Sequence, residues 1–280
     1  MKKLLILSLS GVSFYANALF NYEAFQHFDN RVSFGTTFGQ GTLSTTNEIN
    51  SNTYNYNSFS LEVEKLFDVG IWLDGQIGNL NTYEQNGTAL APLGSYQYLA
   101  TANLKLGYNF PIVENSLSLT PYFLIGKNAN INFINNLFTT YGGVLHVPGF
   151  SQYGITQNYY ITTGLGLRLE YPINKYFDVF FDQFVAYNAD QAPINYSGSA
   201  GLGVNSFSGD TSNTQYTSTL GLKVDLWDDL QLGANLFYTA YTGYGSETLA
   251  FYNDPSWKSS SGALPTTDYG AQFQVGWTFK

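Results

Sequence analysis

Ten charged residues share a spacing that would bring them to one side of an extended chain. Glu62, Glu64, Asp74, Lys105, Arg168, Glu170, Asp178, Asp182, Lys223 and Asp225 each alternate with apolar neighbours, and alternate residues of a strand point to opposite faces. Seven acids against three bases in one enclosed space make a paired network with acid left over. Such a network either plugs and rigidifies an interior or lines a constricted, weakly cation-preferring passage. Its candidate members are Glu62, Glu64, Asp74, Lys105, Arg168, Asp182 and Lys223. Material for catalysis is thin. The sequence has two histidines, His27 and His146, and no cysteine. His146 sits in a long connection without an adjacent acid to orient it as a general base. No group of His, Cys or carboxylates has metal-ligand spacing, and no glycine-rich loop opens a helix. The expectation is therefore a protein without enzymatic activity, cofactor or metal.

The elements that must position the charges are strands. Val32, Phe34, Thr36 and Phe38 share one face of Arg31 to Gln40, and Phe59, Leu61 and Val63 alternate with Ser60, Glu62 and Glu64. Ile71 to Gly78 returns after a turn at Asp68, and Tyr96 to Tyr108 carries an apolar stripe that is aromatic at its ends and aliphatic in its middle. Further strands follow over 117–125, 161–170, 177–187, 219–226, 232–240 and 268–280. Pro121 removes a ladder donor and predicts a bulge. Short turns near Asp68, Val113, Asn174 and Asp228 alternate with five longer connections rich in Ser, Asn, Gly and Thr. The longest, Lys127 to Thr156, would be an inward-folded loop or an extra hairpin. The upper interior would receive Tyr160, Phe184, Phe237 and Tyr241. Residues 19–30 show no period, so no structure is assigned to them and no helix is expected.

The N-terminus and the composition decide what surrounds the strands. Met1 to Ala18 runs from Lys2 and Lys3 through an apolar stretch to Ala16-Asn17-Ala18. That order reads as a signal peptide cleaved after Ala18. Removing it takes the formal charge from −9 to −11, since Lys2 and Lys3 are its charged side chains. An acidic chain argues against nucleic acid as a partner. Later apolar runs fall short of the roughly 18 residues a spanning helix needs, yet a closed barrel of strands satisfies every backbone amide in hydrocarbon. The 18% aromatic and 11% charged content suits interfacial girdles around such a barrel. The competing reading is a secreted β-sandwich or lipocalin-like barrel, with the apolar stripes turned into a core.

The last strand brings in a family. In Asp268 to Lys280, Tyr269, Ala271, Phe273, Val275, Trp277 and Phe279 alternate with Gly270, Gln272, Gln274, Gly276 and Thr278. This aromatic-ended stretch resembles the closing strand and assembly signal of Gram-negative outer-membrane β-barrels, and the whole plan is similar to the small opacity and OmpA-like surface barrels. The resemblance implies an all-β, transmembrane, antiparallel up-and-down barrel over residues 31–280, preceded by a periplasmic lead-in at 19–30. About ten strands are expected, with eight or twelve as alternatives, short turns in the periplasm and long loops outside. It also implies the outer membrane as location, insertion by the barrel-assembly machinery, and contact with membrane lipid and lipopolysaccharide. Surface adhesion, envelope support or passage of small solutes would be the role. Tyr252 and Trp257 are the candidate loop contacts for an extracellular ligand. By strand number the chain also resembles the omptin proteases, whose catalysis needs a histidine beside acids at the extracellular rim; His27 would lie at the opposite end.

Overall fold

The computed structural model describes residues 21–44, 52–84, 96–135, 153–190, 194–197, 204–209, 212–227, 229–242, 247–251, 254–260 and 264–279. A short helix, α1 (Glu23–Asp29), comes first. The strands are β1 (Arg31–Ser44), β2 (Asn52–Leu66), β3 (Ile71–Glu84), β4 (Tyr96–Tyr108), β5 (Phe110–Val113), β6 (Leu117–Asn135), β7 (Tyr153–Asn174) and β8 (Phe177–Asp190). They continue with β9 (Ile194–Ser197), β10 (Val204–Gly209), β11 (Asn213–Trp227), β12 (Leu230–Thr242), β13 (Glu247–Phe251), β14 (Asp254–Ser260) and β15 (Leu264–Thr278).

Ten of these strands close a ring in the order β1, β2, β3, β4, β6, β7, β8, β11, β12, β15, each antiparallel to its neighbours. The seam is the pairing of β15 with β1, from Arg31↔Thr278 to Ser44↔Leu264. Closure leaves the ring without an open edge. Outside it, β5 lies on β6, β9 lies on β7, and β10, β13 and β14 make a small sheet of their own.

Alternation now has a direction. Phe34 is 59% exposed, Leu165 69% and Leu236 61%, while Arg31, Glu64, Glu170 and Lys223 on the other face are buried. The apolar face points out and the charged face points in, the reverse of a soluble barrel. Apolar residues are exposed on the outer face of all ten barrel strands, far beyond the few hundred Å² of contiguous patch that a soluble monomer tolerates. The secreted sandwich and lipocalin readings are thereby excluded, because both need those stripes facing one another.

Four expectations are corrected. Residues 23–29 form a helix, where no helix was expected. Strands run further than the alternation indicated, because polar Ser, Asn and Thr continue the ladder above the apolar band. The stretch from Lys127 to Thr156 is neither an inward loop nor an extra hairpin where it is described: β6 and β7 simply continue and stay paired to Asn135↔Tyr153. These strands are 19 and 22 residues long, against roughly 9 to 11 needed to cross a bilayer, so they project well beyond it. Pro121 makes no bulge in β6, whose register with β7 is unbroken there. It falls between the last β4 pair, Gly107↔Tyr122, and the first β5 pair, Phe110↔Leu119. The missing donor is harmless where the neighbouring strand changes.

Candidate functional site

The end of the barrel with the short turns is filled from within. Helix α1 has seven residues, too few to persist alone in water, and tertiary contacts hold it. Phe25 and Phe28 are buried, as is Tyr22 just before the helix. Tyr22 approaches Gly70, whose φ of 80° and lack of a side chain let the β2–β3 turn pass close by. Gln26 Nε2 donates to the Leu66 carbonyl at 3.3 Å and to Asp68 at 2.7 Å. Gln231 Nε2 donates to the His27 carbonyl at 3.1 Å. Asn30 then accepts from Leu66 N–H and from Phe279 N–H, which ties the segment after the helix to β2 and to the end of the chain.

Above α1 lies a layer of ion pairs centred on Glu64. Arg31 Nε reaches Glu64 Oε2 at 3.0 Å, Lys223 Nζ reaches the same oxygen at 3.0 Å, and Arg168 Nη1 reaches Oε1 at 2.9 Å. The indole N–H of Trp72 donates to Oε1 at 3.1 Å. Asp29, the last helical residue, takes Lys223 at 2.6 Å and Arg168 at 3.3 Å. Glu170 and Asp178 are buried at the same level. Burial first, and then the neighbouring Glu170 and Glu64 carboxylates, hold the Asp29 carboxyl well above the usual carboxylate range, against the pull of Lys223 and Arg168. Arg168 also stacks over Phe180, 4.2 Å from the ring centroid.

A second layer sits toward the long connections. Lys105 Nζ bridges Asp182 at 2.8 Å and Asp74 at 3.3 Å, and Tyr122 donates its hydroxyl proton to Asp182. Two glycines make this packing fit. A Cβ at Gly166 would meet the Tyr122 ring, and one at Gly221 would meet the Phe180 ring. Beyond this layer the lumen opens into a chamber of about 340 Å³ whose floor includes Asp74, Lys105, Arg168 and Asp182, and whose wall is largely hydroxyl and amide.

The structure thus brings Glu62, Glu64, Arg168 and Lys223 into the lower layer and Asp74, Lys105 and Asp182 into the upper one. Asp225 stands apart, 2.7 Å from His27 at the short-turn end. Phe184, Phe237 and Tyr241 line the chamber. Tyr252 and His146 lie outside the described residues, and Trp257 belongs to β14. Sequence reasoning missed Asp29, Arg31, Trp72 and Tyr122 as members. For the last three a signal existed, since each occupies the position opposite an outward apolar stripe. For Asp29 there was none. Among the described residues no group of His, Cys and carboxylates could hold a metal ion.

No family model matches the sequence and no curated protein is similar to it. Among solved structures, the outer membrane protease OmpT from Escherichia coli superposes with a TM-score of 0.51 at 10% identity, over 90% of this chain and 97% of that one. The translocator domain of the autotransporter NalP from Neisseria meningitidis gives 0.49 at 13% identity, over 89% of this chain and 88% of that one. At such identities the likeness concerns the fold.

Proposed function

Starting from the fold of a Gram-negative outer-membrane β-barrel, we propose that this chain is a non-enzymatic surface protein. Its long connections meet ligands outside the cell, and its lumen is closed at the periplasmic end. Residues 1–18 would be the signal peptide that exports it, and the barrel wall would contact membrane lipid and lipopolysaccharide. The observation that carries the reading is α1, lodged in the lumen beneath a layer in which Glu64 engages three cations. Displacing it would break the contacts of Asp29 with Lys223 and Arg168 and expose the buried Phe25 and Phe28, at roughly 1.5–3 kcal/mol for each of the two aromatic side chains.

The narrow-channel alternative needs a continuous aqueous path, and α1 with the layers above it stands across that path. A protease reading, which the OmpT likeness invites, has little among the described residues to work with. His27 is paired with Asp225 at the periplasmic end, away from surface substrates. Two assays test the proposal. Liposomes carrying the folded protein should not swell in small neutral sugars, and swelling at porin-like rates would favour the channel. Protease treatment of intact cells, trimming the loops, should abolish surface binding; binding that survives would move the contact elsewhere.

A further inference from the structure

We infer that the blind chamber above the ion-pair floor is a binding site for a neutral, hydroxyl-rich solute of mono- to disaccharide size, entering from the extracellular side. The inference rests on the reading that the floor is sealed, which makes the chamber a cup and not a segment of a pore. Three observations lead to it.

The first is size. A chamber of about 340 Å³ falls at the lower end of the roughly 300–1,000 Å³ that small-molecule sites occupy, a size that suits one or two pyranose rings. The second is the state of the charges. Glu62 is taken by Arg31 and Gln274, Asp182 by Lys105 and Tyr122, Arg168 by Glu64, and Asp268 by the Tyr241 hydroxyl. An ionic ligand would have to break one of these arrangements, and a buried pair that loses a partner leaves an uncompensated charge. The lining carries more acids than bases, Glu62, Asp74, Asp182 and Asp268 against Lys105 and Arg168, so anions are opposed most strongly, and a neutral ligand is spared the cost of breaking a pair. The third is the chemistry of the wall. Ser58, Thr101, Asn103 and Thr219 line it with hydroxyl and amide groups. A ligand that brings several O–H groups can exchange hydrogen bonds with such groups without carrying charge. Phe184 and Phe237 add aromatic surface to a wall otherwise made of groups such as Thr101 and Asn103. That mixture suits a solute with polar edges and C–H faces.

The test is calorimetric titration of the full-length folded barrel in detergent with sucrose, maltose and trehalose, and with cadaverine and succinate as cationic and anionic comparisons. At least one of the three sugars should bind saturably and both ions should not. Two separate variants fill the chamber from residues outside the ion pairs, Thr101→Leu and Ser58→Leu. Each should weaken sugar binding by roughly tenfold or more, while Trp227→Phe on the outer face should leave it unchanged. Folding of each variant is checked by its heat-modifiable gel migration, and either filled variant that folds suffices. Absence of saturable sugar binding, equal binding by a folded filled variant, or preference for either ion would overturn the inference. Sugar binding together with liposome swelling would overturn the sealed floor and leave the site, so the two failures are distinguishable.

Discussion

Glu64 illustrates how much one residue can carry in this lumen. It is fully buried and serves Arg31, Arg168, Lys223 and the Trp72 indole together. Glu64→Gln keeps the shape and removes the charge that holds three cations, and we expect a loss of about 3–5 kcal/mol in reversible urea unfolding from detergent or lipid. A change under 1 kcal/mol would mean that water, not Glu64, compensates those cations. Gly166 makes a steric counterpart. Gly166→Ala puts a methyl group into the Tyr122 ring, and the expected cost is about 1–3 kcal/mol, relieved when Tyr122→Ala is added in a double-mutant cycle. Alternation placed Glu62, Glu64, Arg168 and Lys223 on one face, because a two-residue period needs no knowledge of the partner strand. It did not say which charge meets which, since that follows from register and from barrel closure, both properties of pairs of strands. Gly166 was equally silent, because its neighbour Tyr122 lies more than forty positions away.

At the scale of elements, α1 decides what the barrel is. A seven-residue helix gives no measurable period, and its aromatic residues are middling helix formers, so residues 19–30 read as featureless. Their fold is imposed by the lumen they fill. The docked helix carries a pH dependence through Asp29, whose carboxyl is held above the ordinary range by burial and by Glu170 and Glu64. An acid with a raised value in the docked state contributes most while it keeps its proton. From about pH 4 upward, the undocked carboxyl ionises before the docked one, so docking weakens as pH rises through the docked value. Hydrogen-exchange protection of the 24–30 amides, corrected for intrinsic rates, should fall across that interval in the wild type and stay flat in Asp29→Asn. Protection that rises with pH would contradict the sign. The long arms of β6 and β7 were hidden for a different reason. Above the lipid band both faces are wet, so polar residues continue the strands and alternation stops being informative.

For the whole molecule, topology was the most legible level. Short and long connections alternated visibly, and closure of β1 on β15 follows from an even number of antiparallel strands with both ends at the short-turn side. The apolar band outside and the charges inside are two consequences of that one closure. What could not be read was whether the interior is open, because this depends on a segment outside the strands and on which strand charges meet across the lumen. Planar-bilayer recording addresses that point directly, comparing the wild type with a variant that loosens the plug, Phe25→Ala combined with Phe28→Ala and Asp29→Ala. The account predicts no steady single-channel steps from the wild type and stepwise conductance from the variant. Steady wild-type steps, unchanged by the triple substitution, would contradict it.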